Sequence, residues 1–386
     1  MGNNTAGDSV VDVRDARALF PATTAGLAYF NTAAVGLASR ATTSALKRYV
    51  NDWSESGLDY VRGEAAAEVA RTSVAALIGA DRSAIALIAS VSAAAGLVAA
   101  QLGPAEGGHN VVIGEREYSS NHFPWRLLAG KGYDVRQVPF RNGGLEPDDV
   151  AAYVDASTQL IAFSGVQTAS GHCSDIPAIS ALARAVGAVV FVDGSQMVGA
   201  MPVADHLEHI DVLATSDHKF LMNAGRGVGY CYLSSAMQDR FVPVTAGWKA
   251  GREPFESFFG PAMDLSPTAS RFDNSISWLA AIGDEAALSV FETFGSDAIF
   301  RRNRELTDML RSRLTEIGRA PIDLPVANRS TIVSVPLGDD DPSQLLRGLR
   351  ERGIVCSARD GNLRLAIHFY NHEDDIEKVA VALTEL

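Results

Sequence analysis

The sequence predicts an α/β protein. A large domain of mainly parallel sheet covered by helices is followed by a smaller α+β domain. Three observations carry this reading. The chain has 386 residues, 47 % apolar and 20 % charged, enough for a sizeable core. Short apolar runs alternate with helical stretches from Ala84 to Leu233, the pattern of a parallel sheet between helix layers. After about Phe255 the pattern changes to two long helices and then a group of strands.

The apolar runs are "AIALIAS" (Ala84–Ser90), "NVVIGE" (Asn110–Glu115), "DVRQVPF" (Asp134–Phe140), "QLIAFSGV" (Gln159–Val166), "AVVFVDG" (Ala188–Gly194), "DVLATS" (Asp211–Ser216) and "GVGYCYL" (Gly227–Leu233). Each has the length and apolar content of a buried strand. Between them, "SAAAGLVAAQL" and "IPAISALARAVG" read as helices, the second stopped by Gly187. A loop with Pro261 and Pro267 leads into "SWLAAIGDEAALSVFETFG" and "DAIFRRNRELTDMLRSRLTEIG", both long helices. "STIVSVPL", "GIVCSA" and "NLRLAIHF" follow as strands. Asn371 is placed to cap a last helix, "NHEDDIEKVAVALTEL", whose first turn is acidic. The expected division is an N-terminal segment over 1–25 packing near the small domain, a large domain over 26–255 and a small domain over 256–386.

Composition narrows the function classes. A net charge of −13 argues against nucleic-acid or anionic-membrane partners. The three cysteines, Cys173, Cys231 and Cys356, form no CxxC pair and read as reduced thiols of a cytoplasmic protein. The polar, acidic start has no apolar core of a signal peptide. "MGNNTA" fits the loose myristoylation pattern, but no polybasic second signal follows. Ser and Gly interrupt the most apolar stretch, "SAIALIASVSAAAGLVAAQL", so it reads as strand and helix rather than a membrane span. His206 and His209 have HxxH spacing without a third ligand, so no metal site is expected.

Several polar residues fall where strands end. In open α/β sheets, ligands bind outside the carboxyl ends of the strands. Asp193 ends one run, and Lys219 follows the next. Together they make either an ion pair or the two handles of pyridoxal phosphate: a lysine amine for its aldehyde and a carboxylate for its pyridine nitrogen. "ALIASVSAAAGL" is either an ordinary strand–helix turn or, through Ser90, Ser92 and the helix opening near Ala93, a phosphate cradle. Ser216 and His218 can add donors. Tyr118, in "EREYSSNHFPW", offers an aromatic face at the same edge. The glycines of "AGRGVGY" lead into a strand and not a helix, so they are no dinucleotide fingerprint. Arg364, on a small-domain strand, suits a bidentate grip on a carboxylate, with Arg359 and Arg226 as second choices.

In this order the pieces resemble class V aminotransferase-fold enzymes, the branch of fold-type I pyridoxal-phosphate proteins that holds cysteine desulfurases, selenocysteine lyases and isopenicillin-N epimerase-like proteins. The resemblance runs from "YFNTAAVG" to "HFYNHEDDIEKV". It is strongest in "VDGSQMVGAMPVADHLEHIDVLATSDHKFL" and "EREYSSNHFPW". It implies that Lys219 carries the cofactor as a Schiff base and acts in catalysis, and that Asp193 pairs with the pyridine nitrogen. It implies that Gln196 bonds the ring hydroxyl, with Thr168 nearby. It gives Ser92, Ala93, Ser216 and His218 to the phosphate, Tyr118 to the ring face, and Arg364 and Asn31 to the amino-acid substrate. It also implies a homodimer with a shared site. In "RFDNSISW", Ile276 stands where many relatives have a threonine that reaches the partner's phosphate.

One departure bears on function. Desulfurases carry a mobile loop with a nucleophilic cysteine shortly before the substrate arginine. Here "GIVCSARDG" runs directly into "NLRLAIHF", and Cys356 falls inside the apparent strand. The expectation is therefore a carbon–sulfur lyase acting on an S-substituted cysteine or its sulfoxide in thiol or specialised metabolism. It is closest in pattern to the ergothioneine-pathway lyase type. Decarboxylation with oxidative deamination, transamination and epimerisation are the alternatives. Retention of Lys219 with Asp193 argues against a non-enzymatic binding role.

Overall fold

A computed structural model describes residues 12–223, 225–260 and 262–386. "MGNNTA" and Pro261 lie outside them. After a two-residue strand, β1 (Ala28–Tyr29), the apolar runs of the sequence form one seven-stranded sheet. Its strands are β2 (Ile85–Ile88), β3 (Asn110–Gly114), β4 (Asp134–Val138), β5 (Thr158–Ser164), β6 (Val189–Asp193), β7 (Val212–Ser216) and β8 (Gly229–Leu233). Their order is β2-β8-β7-β6-β5-β3-β4. From β7 to β4 all neighbours pair parallel, while β8 runs antiparallel to both β7 and β2. Val189–Asp193 and Val212–Ser216 are buried along their whole length, as strands covered on both faces must be. Each large apolar side chain buried there contributes roughly 1.5–3 kcal/mol.

Local chemistry sets the helix ends. Ser39, Asp59, Asp175 and Ser277 accept amide hydrogen bonds as N-caps of Arg40–Ser56, Tyr60–Ile78, Ile176–Val186 and Trp278–Phe294. Gly187 ends Ile176–Val186 in the left-handed conformation, as its place in the sequence predicts. The helix Trp278–Phe294 lies beyond the expected division near residue 255, yet it packs against Arg40–Ser56 and Tyr60–Ile78.

The C-terminal strands are β9 (Ile332–Pro336), β10 (Ile354–Val355), β11 (Ser357–Arg359) and β12 (Asn362–Ala366). The sheet β11-β12-β9 is antiparallel, and β10 pairs parallel with β1. "GIVCSA" is therefore two strands broken at Cys356. The residues before the break serve β1 and those after it serve β12. The last helix, Glu373–Glu385, is capped by His372 and not by Asn371. His372 Nδ1 accepts the Asp374 N–H at 3.2 Å, and Asp375 accepts the His372 N–H at 3.1 Å. Asn371 is engaged elsewhere, donating to the Tyr29 carbonyl at 2.9 Å and accepting the His368 N–H at 2.9 Å. Near the chain start, Arg17 grips Asp375 at 2.7 and 2.9 Å, and Phe20 packs on Phe369 and Tyr370. Among the described residues no helix is long and apolar enough to cross a membrane.

Candidate active site

Parallel pairing brings the carboxyl ends of β5, β6 and β7 to one edge, with Ser164 level with Asp193 and Asp193 level with Ala214. Lys219 lies in the turn after β7. A cavity at this edge is lined by Ser90, Tyr118, Asp193, Ser216, His218 and Lys219, with Arg226 at its rim. Burial holds the Lys219 amine down to about 8, against the opposing pull of Asp193. The amine is thus still mostly charged at pH 7, with a neutral fraction of roughly a tenth, far above that of an ordinary lysine. The Tyr118 ring lies 5.5 Å from Lys219 Nζ. The Asp193 carboxylate is held by the Ser195 N–H at 2.9 Å.

Two glycines shape this turn. The Gly36 N–H donates to the His218 carbonyl at 2.8 Å, and a Cβ at position 36 would lie 2.4 Å from the Lys219 carbonyl oxygen. Gly229 pairs with Ser216, where a Cβ would lie 2.7 Å from the Thr215 carbonyl oxygen. The glycines behind the lysine give the chain a close path back into β8.

One end of the cavity is built from β2 and the helix Val91–Gln101. Ser90 is the N-cap, and its Oγ accepts the Ala93 N–H at 3.2 Å. The Ala93 amide is thus committed to the cap. The Ser92 hydroxyl lies 2.9 Å from the Ser90 hydroxyl and lines a neighbouring cavity. The cavity wall beside Lys219 comes from Ala89, Ser90 and Val91. Ser216 Oγ is buried there without a hydrogen-bond partner. His218 stays neutral, since burial, Lys219 and Arg226 hold it down to about 4. Behind it, burial pushes Asp217 up to about 8, and Asn223 donates to Asp217 at 3.1 Å.

The opposite side is a chain of hydrogen bonds. Gln196 Nε2 donates to Thr168 Oγ1 at 2.9 Å and to the Ala33 carbonyl at 3.0 Å, while its Oε1 is buried and unpartnered. Arg364 donates to Thr168 Oγ1 at 2.8 Å, the Thr168 carbonyl at 3.0 Å and Ser357 Oγ at 3.1 Å. Burial, and then Arg359, hold Arg364 down to about 10, so it stays charged at neutral pH. Asn31 bridges to Ala366, two residues along the strand from Arg364, with its Oδ1 buried and unpartnered. Arg359 is exposed and donates to the Ala358 carbonyl at 2.7 Å.

Ile276, singled out in the sequence, and the aromatic loop after Gly247 are absent from the lining of this cavity. Ile276 lines a separate apolar cavity with Tyr49, Trp53, Trp248 and Trp278. The aromatic loop after Gly247 packs on itself, Trp248 against Phe258 at 5.1 Å between centroids. Sequence reasoning passed over Glu117. Its buried carboxylate accepts from the Ser164 N–H at 2.9 Å, the Ser164 hydroxyl and Gln167 Nε2 at 2.8 Å. Burial pushes it up to about 7. The available signal was the one used for Asp193, a carboxylate just past an apolar strand.

The site fits pyridoxal phosphate. It offers a partly neutral lysine, a fixed carboxylate, an orphaned Ser216 hydroxyl beside a helix N-terminus, and an orphaned Gln196 oxygen. These match the needs of an aldehyde, a ring nitrogen, a phosphate and a ring hydroxyl. Residues 28–379 match the model of the aminotransferase class-V family. The chain is 26 % identical over 367 residues to a probable cysteine desulfurase of Methanothermobacter thermautotrophicus, covering 90 % of each. It is 29 % identical over 340 residues to an isopenicillin N epimerase of Streptomyces clavuligerus, covering 82 % of this chain and 83 % of that one. Its fold is similar to that of the cysteine desulfurase CsdA from Escherichia coli, with a TM-score of 0.82 at 22 % identity over 97 % and 98 % of the two chains. The cystine C–S lyase C-DES in complex with its product cysteine persulfide gives 0.83 at 18 % identity over 94 % and 99 %. The chain belongs to the class-V aminotransferase family of enzymes, with pyridoxal 5'-phosphate as its cofactor.

Proposed function

We propose that the chain cleaves the Cβ–S bond of an S-substituted cysteine, or of its sulfoxide, releasing a thiol or sulfenate, pyruvate and ammonia. The observation that carries this reading is the hairpin between β11 and β12. Arg359 pairs with Asn362, so Asp360 and Gly361 alone make the turn, with φ of 50° and 73°. A turn this tight leaves no room for a mobile cysteine loop ahead of Arg364. The thiols themselves are poor nucleophiles. Burial pushes Cys173 up to about 11, and Cys231 and Cys356 up to about 12. Sulfur therefore leaves with the substrate's own substituent and not as a protein persulfide.

When bound, pyridoxal phosphate supplies an aldehyde for amines and a ring that takes up an electron pair from Cα. Arg364 holds the substrate carboxylate. The Lys219 amine, held down by burial, takes the Cα proton as general base. Asp193, fixed by the Ser195 N–H, keeps a proton on the ring nitrogen. Gln196 and Thr168 would hold the ring hydroxyl, and Tyr118 would cover the ring. The active form is read as a cytoplasmic homodimer, in line with the large exposed apolar side chains Phe259 and Met263, 95 % and 82 % exposed.

The likeness to an isopenicillin N epimerase favours a second reading, in which the proton taken by Lys219 returns to Cα. A mass-spectrometric product screen with S-alkyl and S-aryl cysteines and their sulfoxides separates the outcomes. Pyruvate with the free thiol supports the lyase, and the enantiomeric amino acid supports epimerisation. An aldehyde with carbon dioxide marks decarboxylative deamination, and a keto acid with intact sulfur marks transamination. Absence of pyruvate from every conjugate overturns the lyase reading. Light scattering tests the dimer.

A further inference from the structure

The cavity wall near Ser90 and Ser216 holds an arginine with no hydrogen-bond or ion-pair partner among the described residues. Arg226 lines the same cavity as Ser90, Ser216, His218 and Lys219. Its side chain is exposed there and joins no ion pair among the described residues. The surrounding charges do not balance. Lys219, Arg226 and Arg364 bring positive charge to the site, and Asp193 is the carboxylate that lines the cavity. Asp217 and Glu117 are held toward their neutral forms by burial, and His218 is neutral. Such a cavity is completed by a ligand bearing two negative charges. Ser216 Oγ, 9 % exposed at the residue level and unpartnered, is a donor waiting for the same group. The helix Val91–Gln101 opens at the same wall, with its Ala93 amide already used by Ser90.

Ile276 matters here as well. An aliphatic side chain offers no hydrogen bond to a phosphate, whether its own chain's or a partner's. We infer that Arg226 grips the phosphate of the cofactor, supplying from within the chain the contact that a hydroxyl at position 276 would give from a partner. Arg226, Ser216 and the amides that open the helix then form the phosphate cradle. A guanidinium suits the task because its fork matches two phosphate oxygens at once. The inference rests on the cofactor alone and is independent of which substrate bond breaks.

The test separates phosphate from the rest of the cofactor. Holoenzyme is prepared with pyridoxal phosphate or with unphosphorylated pyridoxal, and each dissociation constant is read from the visible absorbance of the lysine-bound form. Arg226→Gln is expected to weaken pyridoxal phosphate by roughly ten- to a hundredfold, the scale of one charge-assisted contact, and to leave pyridoxal unchanged. Arg226→Lys keeps the charge and is expected to restore most of the loss. Equal weakening of both compounds would overturn the inference, because the residue would then act on the ring or the fold. Unchanged affinity for pyridoxal phosphate with a raised substrate KM would also overturn it, and would assign Arg226 to the substrate carboxylate.

Discussion

Replacing Arg364 with lysine tests whether this residue reads the substrate carboxylate or only braces the cofactor. The side chain is 2 % exposed. Its Nε is tied to Ser357, and Nη1 to two oxygens of Thr168. Nη2 has no assigned contact and is left for the ligand. Arg364→Lys keeps a positive charge but loses the planar fork, so it can hold either the Thr168 oxygens or a carboxylate, not both. One charge-assisted hydrogen bond is worth about 1.5–3 kcal/mol, and each 1.4 kcal/mol is about tenfold in affinity. Binding of an S-substituted cysteine should therefore fall roughly ten- to a hundredfold. The assay compares that amino acid with the corresponding S-substituted cysteamine, which lacks the carboxylate, each followed by its change in visible absorbance. The amino acid should lose affinity while the amine keeps it. Equal losses would refute the reasoning and leave Arg364 acting through Thr168 and Gln196 on the cofactor.

Cys356→Ser is expected to leave turnover of S-substituted cysteines unchanged, whereas loss of activity would restore a persulfide route. Asp217→Asn tests the buried carboxyl behind His218. Burial raises Asp217 from its ordinary 3.8 to about 8, so the folded state holds an extra proton between these values and wild-type stability falls as pH rises through them. The substituted amide does not titrate, so the variant's Tm should gain on wild type from about pH 4 to about pH 8, and a constant difference would exclude this account. Above about pH 7, where Glu117 is ionised and accepts from the Ser164 N–H, the Ser164 hydroxyl and Gln167 Nε2, Glu117→Gln leaves a single acceptor oxygen for them, at a cost of about 1–3 kcal/mol. A lower melting temperature and an altered visible circular dichroism of the bound cofactor are expected, since Tyr118 adjoins Glu117.

The inner strands of the large sheet were legible because strands buried on both faces read as nearly unbroken apolar runs, whereas the edge strand β4, DVRQV, is buried only at Val138. The placement of Asp193 and Lys219 at one sheet edge was legible for the same reason, as polar residues at or just past the ends of such runs. The misread elements share a different cause. β10 and β11 look like one strand because each residue is β-compatible, while the break at Cys356 comes from two different pairing partners. Asn371 has every local property of a helix cap, but its Oδ1, the acceptor a cap needs, already takes the His368 N–H, and the Tyr29 carbonyl, far away in sequence, holds the side chain in that orientation through Nδ2. Ser92 and Ala93 are the phosphate residues that the resemblance implies, while the structure puts Ser90 on the cavity wall beside Lys219 with the Ala93 amide in its cap. In each case a long-range or cap hydrogen bond decided between choices that local pattern leaves equal.

Electrostatics makes the same point about function. A chain of net charge −13 should repel a phosphate, if net charge were what a ligand met. The cavity behaves otherwise because its carboxyls are treated unequally. Glu117 and Asp217 are buried, and burial raises both. Asp284, deeper still and hydrogen-bonded to the Tyr230 hydroxyl at 2.7 Å, is raised further by Asp217. Asp193, by contrast, faces the cavity with an N–H donor on it. The local balance is thus set by Lys219, Arg226 and Arg364 against a single facing carboxylate. That arrangement fixes polarity along the site: the anion at the ring-nitrogen end, the cations at the phosphate and carboxylate ends. An amino acid joined to a phosphorylated ring matches both ends at once, whereas the same ligand reversed would set its phosphate against Asp193.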